Sequence, residues 1–197
     1  MLTTIYRPGA KAHIREAAIG TPLSTLLGAE ANVQAWLVGG YHGTWLPLPD
    51  ATGITLDNAS LRRFGAAAGA GVLAALPSDR CGLAEAARVA GYLAAESAGQ
   101  CGPCLNGLPR IAAALADLAD PRNHSSQTLV DLDRWSGLVE GRGACHHPDG
   151  TVRFVRSALA VFEPEIQRHA RGGCSATNRA PFLPLPTGMP TSEEDWT

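Results

Sequence analysis

Apolar residues recur every three or four positions in four stretches of the second half of the chain. This period is typical of helices with one buried face. The stretches run from Leu83 to Leu93, from Leu108 to Leu118, from Leu129 to Leu138 and from Val152 to Ile166. Because the links between them are short, the pattern predicts a four-helix bundle with the intervening loops gathered at its ends.

Polar residues and prolines mark where these helices start and bend. Ser125 or Ser126 is the predicted N-cap of the third helix, and Asp149 or Thr151 that of the fourth. Pro164 lies inside the fourth pattern, so we expect a kink there.

The first part of the chain has shorter apolar runs that are rich in β-branched residues and are separated by turn residues. These runs predict strands at 2–6, 12–14, 33–38, 54–56 and 71–76, with one helix capped by Thr21 and ending at Leu27. The expected fold class is therefore α+β, a compact strand-rich unit followed by a helical one. The glycines of residues 39–43 indicate a turn, with a ligand cradle as the alternative.

Composition changes twice along the chain and predicts three segments. A turn cluster near residue 77 separates a domain at 1–77 from a helical domain at 78–174. Beyond Cys174 come four prolines and an acidic pair but no periodic apolar face, so residues 175–197 are expected to form a disordered tail.

Charge and cysteine usage narrow the class of protein. A net charge of -2 with 45% hydrophobic residues indicates a soluble globular protein and argues against a nucleic-acid partner. The N-terminus lacks the pattern of a signal peptide, and the apolar run at 65–76 is too short to span a bilayer. Five cysteines in such a chain favour metal or redox chemistry in a reducing cytoplasm.

Three of the cysteines have the spacing of metal ligands. Cys101 and Cys104 lie in a break between two helical patterns, and Cys145 precedes a later helix. No strand precedes Cys101, which disfavours a thioredoxin-like motif. A zinc site completed by His146 or His147 remains open, as does a role for the cysteines as small buried apolar residues. Cys81 lies on the order of 20 Å from this loop along a helix, and Cys174 is similarly remote from Cys145.

The stretch Glu96-Ser97-Ala98-Gly99-Gln100-Cys101-Gly102-Pro103-Cys104 resembles the F subunit of NADH:quinone oxidoreductase and its relatives in hydrogenases and formate dehydrogenases. That family reads Glu-Ser-Cys-Gly-x-Cys-x-Pro-Cys-Arg, with a later single cysteine. The resemblance extends over Phe154, Phe162, Glu165 and His169. It implies a β-grasp domain of the soluble-ligand-binding (SLBB) type at 1–77, followed by a four-helix iron–sulfur domain.

The same resemblance implies a cluster bound by Cys101, Cys104 and Cys145. Ala98 occupies the position of the family's first cysteine, and a methyl group cannot bind iron. The expected cofactor is a [4Fe–4S] cluster with a non-cysteine fourth ligand, or a [3Fe–4S] cluster. His146, His147, water or a small anion are the candidates for that ligand.

The implied function is electron transfer in an NADH dehydrogenase-like oxidoreductase. In the family, NADH and flavin bind an upstream domain, and this sequence has no glycine-rich phosphate loop, so neither FMN nor NAD is expected here. The chain is then not an enzyme by itself, and its partner is a separate flavoprotein or ferredoxin-type protein, with any membrane complex reached through a partner. The alternative is a non-redox ligand-binding or scaffold module with a degenerate cluster site or a structural zinc.

Overall fold

The computed structural model describes residues 1–28, 32–48, 53–123 and 125–186. Within these ranges the fold is mixed α+β, with one five-stranded sheet and seven α-helices, which confirms the predicted class. The strands are β1 (Leu2–Tyr6), β2 (His13–Glu16), β3 (Val33–Val38), β4 (Thr44–Pro47) and β5 (Val72–Pro77). The helices are α1 (Leu23–Leu27), α2 (Asn58–Arg62), α3 (Gly82–Ala95), α4 (Leu108–Ala119), α5 (Ser126–Val139), α6 (His147–Val161) and α7 (Glu163–His169).

The sheet has the strand order β2-β1-β5-β3-β4. Strands β1 and β5 pair in parallel, and the other neighbours pair antiparallel. The central strands β3 and β5 are covered on both faces, so they read as nearly continuous apolar runs and were predicted to within one residue. The second strand lies at 13–16 rather than 12–14.

Two local predictions in the first part of the chain are wrong. Residues 54–56 form only an isolated bridge between Thr55 and Pro22, because the chain then turns into α2, whose N-cap is Asp57. Thr21 does not cap α1, since its hydroxyl donates to the Ala18 carbonyl at 2.7 Å and the helix starts after Pro22 without a side-chain cap. The short elements β4 and α2 were not predicted.

The sheet is a layer shared by two hydrophobic cores. One face packs with α1 and α2 around Trp36 and Leu73. The other face packs against the helices through residues such as Trp45, whose ring centroid lies 5.1 Å from that of Phe162. The strand-rich and helical parts of the chain are therefore joined by apolar contact across the sheet.

The four stretches with a helical period of apolar residues form α3, α4, α5 and the pair α6 and α7. Ser125 caps α5 as predicted, accepting a hydrogen bond from the backbone of Gln127 at 3.2 Å. The fourth helix begins at His147, earlier than its predicted caps, so Asp149 lies in its first turn. The expected kink is a break at Phe162, with Pro164 in the first turn of α7, where its missing N–H costs no helical hydrogen bond.

Residues 175–186, predicted as part of a disordered tail, pack against α3. The side chain of Leu183 is 1% exposed. The backbone N–H groups of Phe182 and Leu183 donate to the buried carboxylate of Glu85 at 3.1 and 3.0 Å. This carboxylate needs donors inside the protein, and the segment supplies two of them beside Arg88, which donates at 2.9 Å. The rest of the predicted tail, residues 187–197, lies outside the described residues.

No helix in the described ranges is both long and apolar enough to cross a membrane.

Candidate metal centre

The loop that carries the first two cysteines joins the end of α3 to α4. The carbonyl of Cys101 accepts a hydrogen bond from the backbone of Leu105 at 2.9 Å. Pro103 then opens a single π-helical turn, residues Pro103–Gly107, that leads into α4. This turn buries Cys104 to 5% exposure and leaves Cys101 half-buried. The two thiols thus lie between the C-terminal end of α3 and the start of α4, one buried and one half-buried.

Cys145 comes from the loop between α5 and α6 and is exposed. The shape of this loop depends on close backbone contacts. A Cβ at Gly143 would lie 2.7 Å from the Cys145 carbonyl oxygen and 2.9 Å from Cγ of Pro148. The Asp149 carboxylate also accepts a hydrogen bond from the backbone of Gly141 at 2.8 Å. The position of Cys145 is therefore set by the loop and not by packing of its side chain.

The two loops meet at the thiols. The backbone N–H of Ala144, beside Cys145, and then that of Cys104 hydrogen-bond the Cys101 sulfur and lower the pKa of this thiol. Burial raises the pKa of Cys104, and so do its hydrogen bond to Cys101 and the nearby charges of Cys101 and Cys145. The fold therefore brings together the three cysteines predicted from sequence, with Cys101 the thiol most readily ionised of the first pair.

The candidates for a fourth ligand have different surroundings. Ala98 is exposed and offers only a methyl group. The Nε2 atom of His147 lies 2.9 Å from the Leu93 carbonyl, and its ring lies 4.9 Å from that of His42, centroid to centroid. His146 is fully exposed, with Nδ1 3.7 Å from a carboxylate oxygen of Asp149. His147 is thus committed to contacts with the protein, and His146 is the more available imidazole.

The glycine-rich turn at residues 39–43 has a structural explanation. Gly39 has a φ of 99°, and a Cβ there would lie 2.8 Å from the carbonyl oxygen of Ala67. Only glycine fits this backbone approach. The finding favours the turn interpretation of this sequence over the ligand cradle.

A second group of ligand-type side chains was not predicted. Cys81, Glu165, His169 and Cys174 place one potential ligand atom each within 4.8 Å of one another, and no other such set of three or more occurs in the described part of the chain. Glu165 and His169, four positions apart on α7 and followed by Cys174, were a usable signal. Cys81 could not be added from sequence, because only the tertiary fold brings the start of α3 to α7.

Comparison with known proteins supports the interpretation of the cysteine loops. Residues 84–169 match the family model for the NADH-ubiquinone oxidoreductase-F iron-sulfur binding region. This range contains Cys101, Cys104 and Cys145 together with both loops. The resemblance seen in the sequence is thereby confirmed.

Curated relatives match over a larger part of the chain. The F subunit of NADH-quinone oxidoreductase in Buchnera aphidicola subsp. Acyrthosiphon pisum (strain APS) is 25% identical over 136 residues, covering 69% of this chain and 30% of the relative. The F subunit of the same oxidoreductase in Streptomyces coelicolor is 25% identical over 169 residues, covering 81% of this chain and 36% of the relative. The chain therefore spans about a third of the length of these relatives.

Solved structures show the same fold. A chain of the NAD+-reducing [NiFe]-hydrogenase in the H2-reduced state has a TM-score of 0.72 at 21% identity, covering 85% of this chain and 29% of that one. The air-oxidised form of that hydrogenase has the same TM-score and covers 94% of this chain and 31% of that one.

Proposed function

We propose that this chain, whose residues 84–169 match the iron–sulfur binding region of the NADH-ubiquinone oxidoreductase-F family, is an iron–sulfur electron-transfer protein. The observation that carries the proposal is the meeting of Cys101, Cys104 and Cys145 from two separate loops inside the matched region. Thiolates are the usual protein ligands of iron–sulfur clusters.

The geometry of the three thiols favours a cluster over a single zinc ion. Ligand atoms of a tetrahedral zinc lie roughly 3.3–3.8 Å from one another, because each bond is about 2.0–2.3 Å long. Among the described residues the one set that compact is the second group, which does not include Cys101, Cys104 or Cys145. A polynuclear cluster binds each cysteine on a different iron, so the three sulfurs do not all need to lie within that distance of one another.

The surrounding residues would hold the cluster and tune it. The backbone amides of Ala144 and then of Cys104 lower the pKa of Cys101, which favours the thiolate form that binds iron. Cys145 is exposed, which places this edge of the site within reach of a partner protein. A bound cluster would supply one-electron transfer at this surface.

With Ala98 in place of a fourth cysteine, we propose a [4Fe–4S] cluster with a non-cysteine ligand on one iron, or a [3Fe–4S] cluster. His146 is the more available protein candidate for that ligand, because it is exposed while His147 contacts the Leu93 carbonyl, and water or a small anion is the default. A softer thiolate would bind this iron more tightly, so we expect it to be lost readily in air.

The relatives also support proposals for the redox partner and for the domain types of this chain. We propose that the chain is cytoplasmic and that its electron donor is a separate flavoprotein or ferredoxin-type protein. The relatives are named as subunits of NADH-quinone oxidoreductase, which supports the need for a redox partner. We further propose that the strand-rich part is a β-grasp domain of the SLBB type and that the helical part is a four-helix bundle. The strand order β2-β1-β5-β3-β4, with a helix between β2 and β3, supports the first assignment.

Anaerobic reconstitution with iron and sulfide tests the proposal. We expect the wild-type chain to bind both and to give the electron paramagnetic resonance signal of a reduced cubane, which converts in air to the signal of a three-iron cluster. Cys145→Ser should abolish assembly. Leu105→Ala is the control, because Leu105 follows Cys104 in the π-helical turn at the same site and is 63% exposed but offers no ligand. If the wild-type chain takes up neither iron nor sulfide, a non-redox scaffold role replaces the proposal.

Ala98→Cys tests the missing ligand directly. This change restores the family pattern, so the fourth iron should be retained in air and the three-iron signal should be suppressed. A variant that converts at the wild-type rate would show that position 98 does not face the cluster.

A further inference from the structure

The second group of ligand-type residues lies at the start of α3, away from the cysteine loops. Its members are Cys81, which precedes α3, Glu165 and His169 on α7, and Cys174 just beyond α7. Cys81, Glu165 and His169 are buried at 7%, 8% and 0% exposure, and Cys174 is half-buried. Four polar or ionisable side chains thus share one small volume inside the protein.

The distances between these atoms fit ligands of one tetrahedral ion. The Cys81 sulfur lies 3.6 Å from His169 Nε2, and an oxygen of Glu165 lies 3.1 Å from the same nitrogen. With bonds of about 2.3 Å to sulfur and about 2.0–2.2 Å to nitrogen and oxygen, a tetrahedron would separate these pairs by roughly 3.6 and 3.4 Å. Small adjustments of the carboxylate would satisfy the second distance.

The other nitrogen of His169 fixes how the ring is used. Nδ1 lies 2.8 Å from the carbonyl oxygen of Leu118, which can only accept a hydrogen bond, so Nδ1 carries a proton. In the neutral ring Nε2 then has a lone pair directed toward Cys81 and Glu165. A backbone carbonyl that orients a histidine in this way is typical of the surroundings of metal-binding imidazoles.

We propose that Cys81, Glu165, His169 and Cys174 form a structural zinc site. Two thiolates with an imidazole favour zinc among the common divalent ions, and a carboxylate oxygen is an ordinary fourth ligand. Because the side chains can supply all four ligands, no position is left open for substrate. The site is therefore assigned a role in stability and not in catalysis.

Neighbouring groups stabilise the charges of such a site. The backbone N–H of Ala84, in the first turn of α3, donates to the Cys81 sulfur at 3.4 Å, and the helix dipole favours negative charge there. Burial raises the pKa of the Cys81 thiol to about 12, so a bound cation is needed to hold it as a thiolate. Arg168 Nε lies 3.4 Å from Glu165 and offsets part of the negative charge of the ligand set. Cys81 and Cys174 both line a cavity of about 150 Å³ with an opening to solvent, which gives the ion a route of entry.

The site would fasten the C-terminal segment to the helices. The backbone of Ser175, next to Cys174, donates to Glu165 at 2.7 Å. The backbones of Thr177 and Asn178 donate to the Asp79 carbonyl at 3.1 and 3.0 Å. One ion would thus join the residues before α3, α7 and the first residues of the segment that packs on α3.

Metal analysis of the full chain, expressed with zinc in the medium, tests the proposal. We expect one zinc per chain to survive desalting, in addition to any cluster iron. Cys174→Ser should lose this zinc and keep the iron, whereas Cys145→Ser should keep the zinc and lose the iron. Because each variant should lose one metal and keep the other, the two measurements test the zinc site and the proposed cluster independently. Either proposal can then be rejected while the other stands.

A measurement on the wild-type chain guards against misfolding of the variants. Removal of zinc by a chelator should lower Tm, and added Zn²⁺ should restore it. Added Co²⁺ should give thiolate-to-metal charge-transfer absorption and the visible bands of a tetrahedral ion, both absent in Cys174→Ser.

Three results would contradict the proposed zinc site. One is a zinc-free wild-type chain whose Tm does not respond to Zn²⁺, which would leave a buried ion pair between protonated His169 and Glu165. Another is a disulfide between Cys81 and Cys174 in the chain as purified. The third is zinc that persists in Cys174→Ser and disappears in Cys145→Ser, which would place the ion at the cysteine loops.

Discussion

The two cysteine sites lie at opposite ends of α3 and differ in how their ligands are held. At the N-terminal end, Cys81 joins three residues from around α7 in a buried set whose atoms lie within 4.8 Å of one another. At the C-terminal end, Cys101, Cys104 and Cys145 come from two loops, and Cys145 is exposed. The helix between them has 14 residues and is roughly 21 Å long.

The way in which each set of ligands is held suits a different function. Ligands on helices and in tight backbone contact define one small polyhedron, which suits a single ion that stabilises the fold. Ligands on surface loops leave more space and stay close to solvent, which suits a polynuclear centre that exchanges electrons with a partner. The comparison predicts that changes at one end will leave the other end intact.

Among the changes that test this comparison, Leu183→Ala should cause the largest loss of stability. Leu183 is 1% exposed and packs in the core shared with α3. Its truncation should lower the free energy of unfolding by about 3 kcal/mol, the usual cost of removing a buried leucine side chain. Loosening of the segment after Cys174 should also weaken zinc retention, while cluster assembly stays at the wild-type level. Chemical denaturation and metal analysis measure both.

The matched change at the other end is Leu105→Ala. Leu105 is 63% exposed and follows Cys104, so its truncation should alter stability by less than about 0.5 kcal/mol. Equal losses of stability in the two leucine variants would contradict the distinction between a buried end and an exposed end.

A loss of stability smaller than that of Leu183→Ala, together with a specific loss of the cluster, is expected from Gly143→Ala. The new Cβ would lie 2.7 Å from the Cys145 carbonyl oxygen and 2.9 Å from Pro148, so the loop must shift. We expect less iron and sulfide uptake, unchanged zinc and a stability loss of about 1 kcal/mol. Gly102→Ala is the control, because residue 102 has a φ of -53° and open space around its Cβ position. If both variants assemble the cluster normally, the loop geometry does not limit binding.

Local sequence signals predicted the helices and the cysteine loops well. The stripes in α3 to α6 carry strong periodic apolar faces, and Ser125 is a standard N-cap. Strands β3 and β5 were found because both of their faces are buried. The thiols of Cys101 and Cys104 were recognisable as candidate ligands because they are close in sequence and flanked by turn residues.

Other features depend on contacts that sequence patterns do not contain. Strand β4 is four residues long and follows a glycine turn, too short for a reliable alternation. Residues 175–186 are ordered by the Glu85 carboxylate and the Leu183 contact, not by their own propensity. The second group of ligand-type residues brings Cys81 close to residues of α7 through tertiary structure. The distance of Cys81 from the cysteine loop along α3 therefore said nothing about the side chains that surround it.

The smallest effect on metal content is expected at Asp57, a position that belongs to neither of the two proposed sites. Its carboxylate caps α2 by accepting from the Ser60 backbone at 2.8 Å, and it also accepts from the Thr55 hydroxyl. The Thr55 hydrogen bond, followed by that of Ser60, lowers the pKa of Asp57 in the folded chain. A carboxyl whose folded pKa is depressed stabilises the fold above its ordinary pKa of about 3.9, and this contribution disappears as pH falls through the folded value.

Asp57→Ala should therefore lower Tm at pH 7, with the difference in Tm from wild type narrowing toward pH 3, and should leave zinc and iron contents unchanged. Asp57→Asn keeps an equally good cap without the charge, so its Tm should lie between the two at pH 7. A gap between Asp57→Ala and wild type that stays constant from pH 7 to pH 3 would show that the charge of this carboxylate does not contribute.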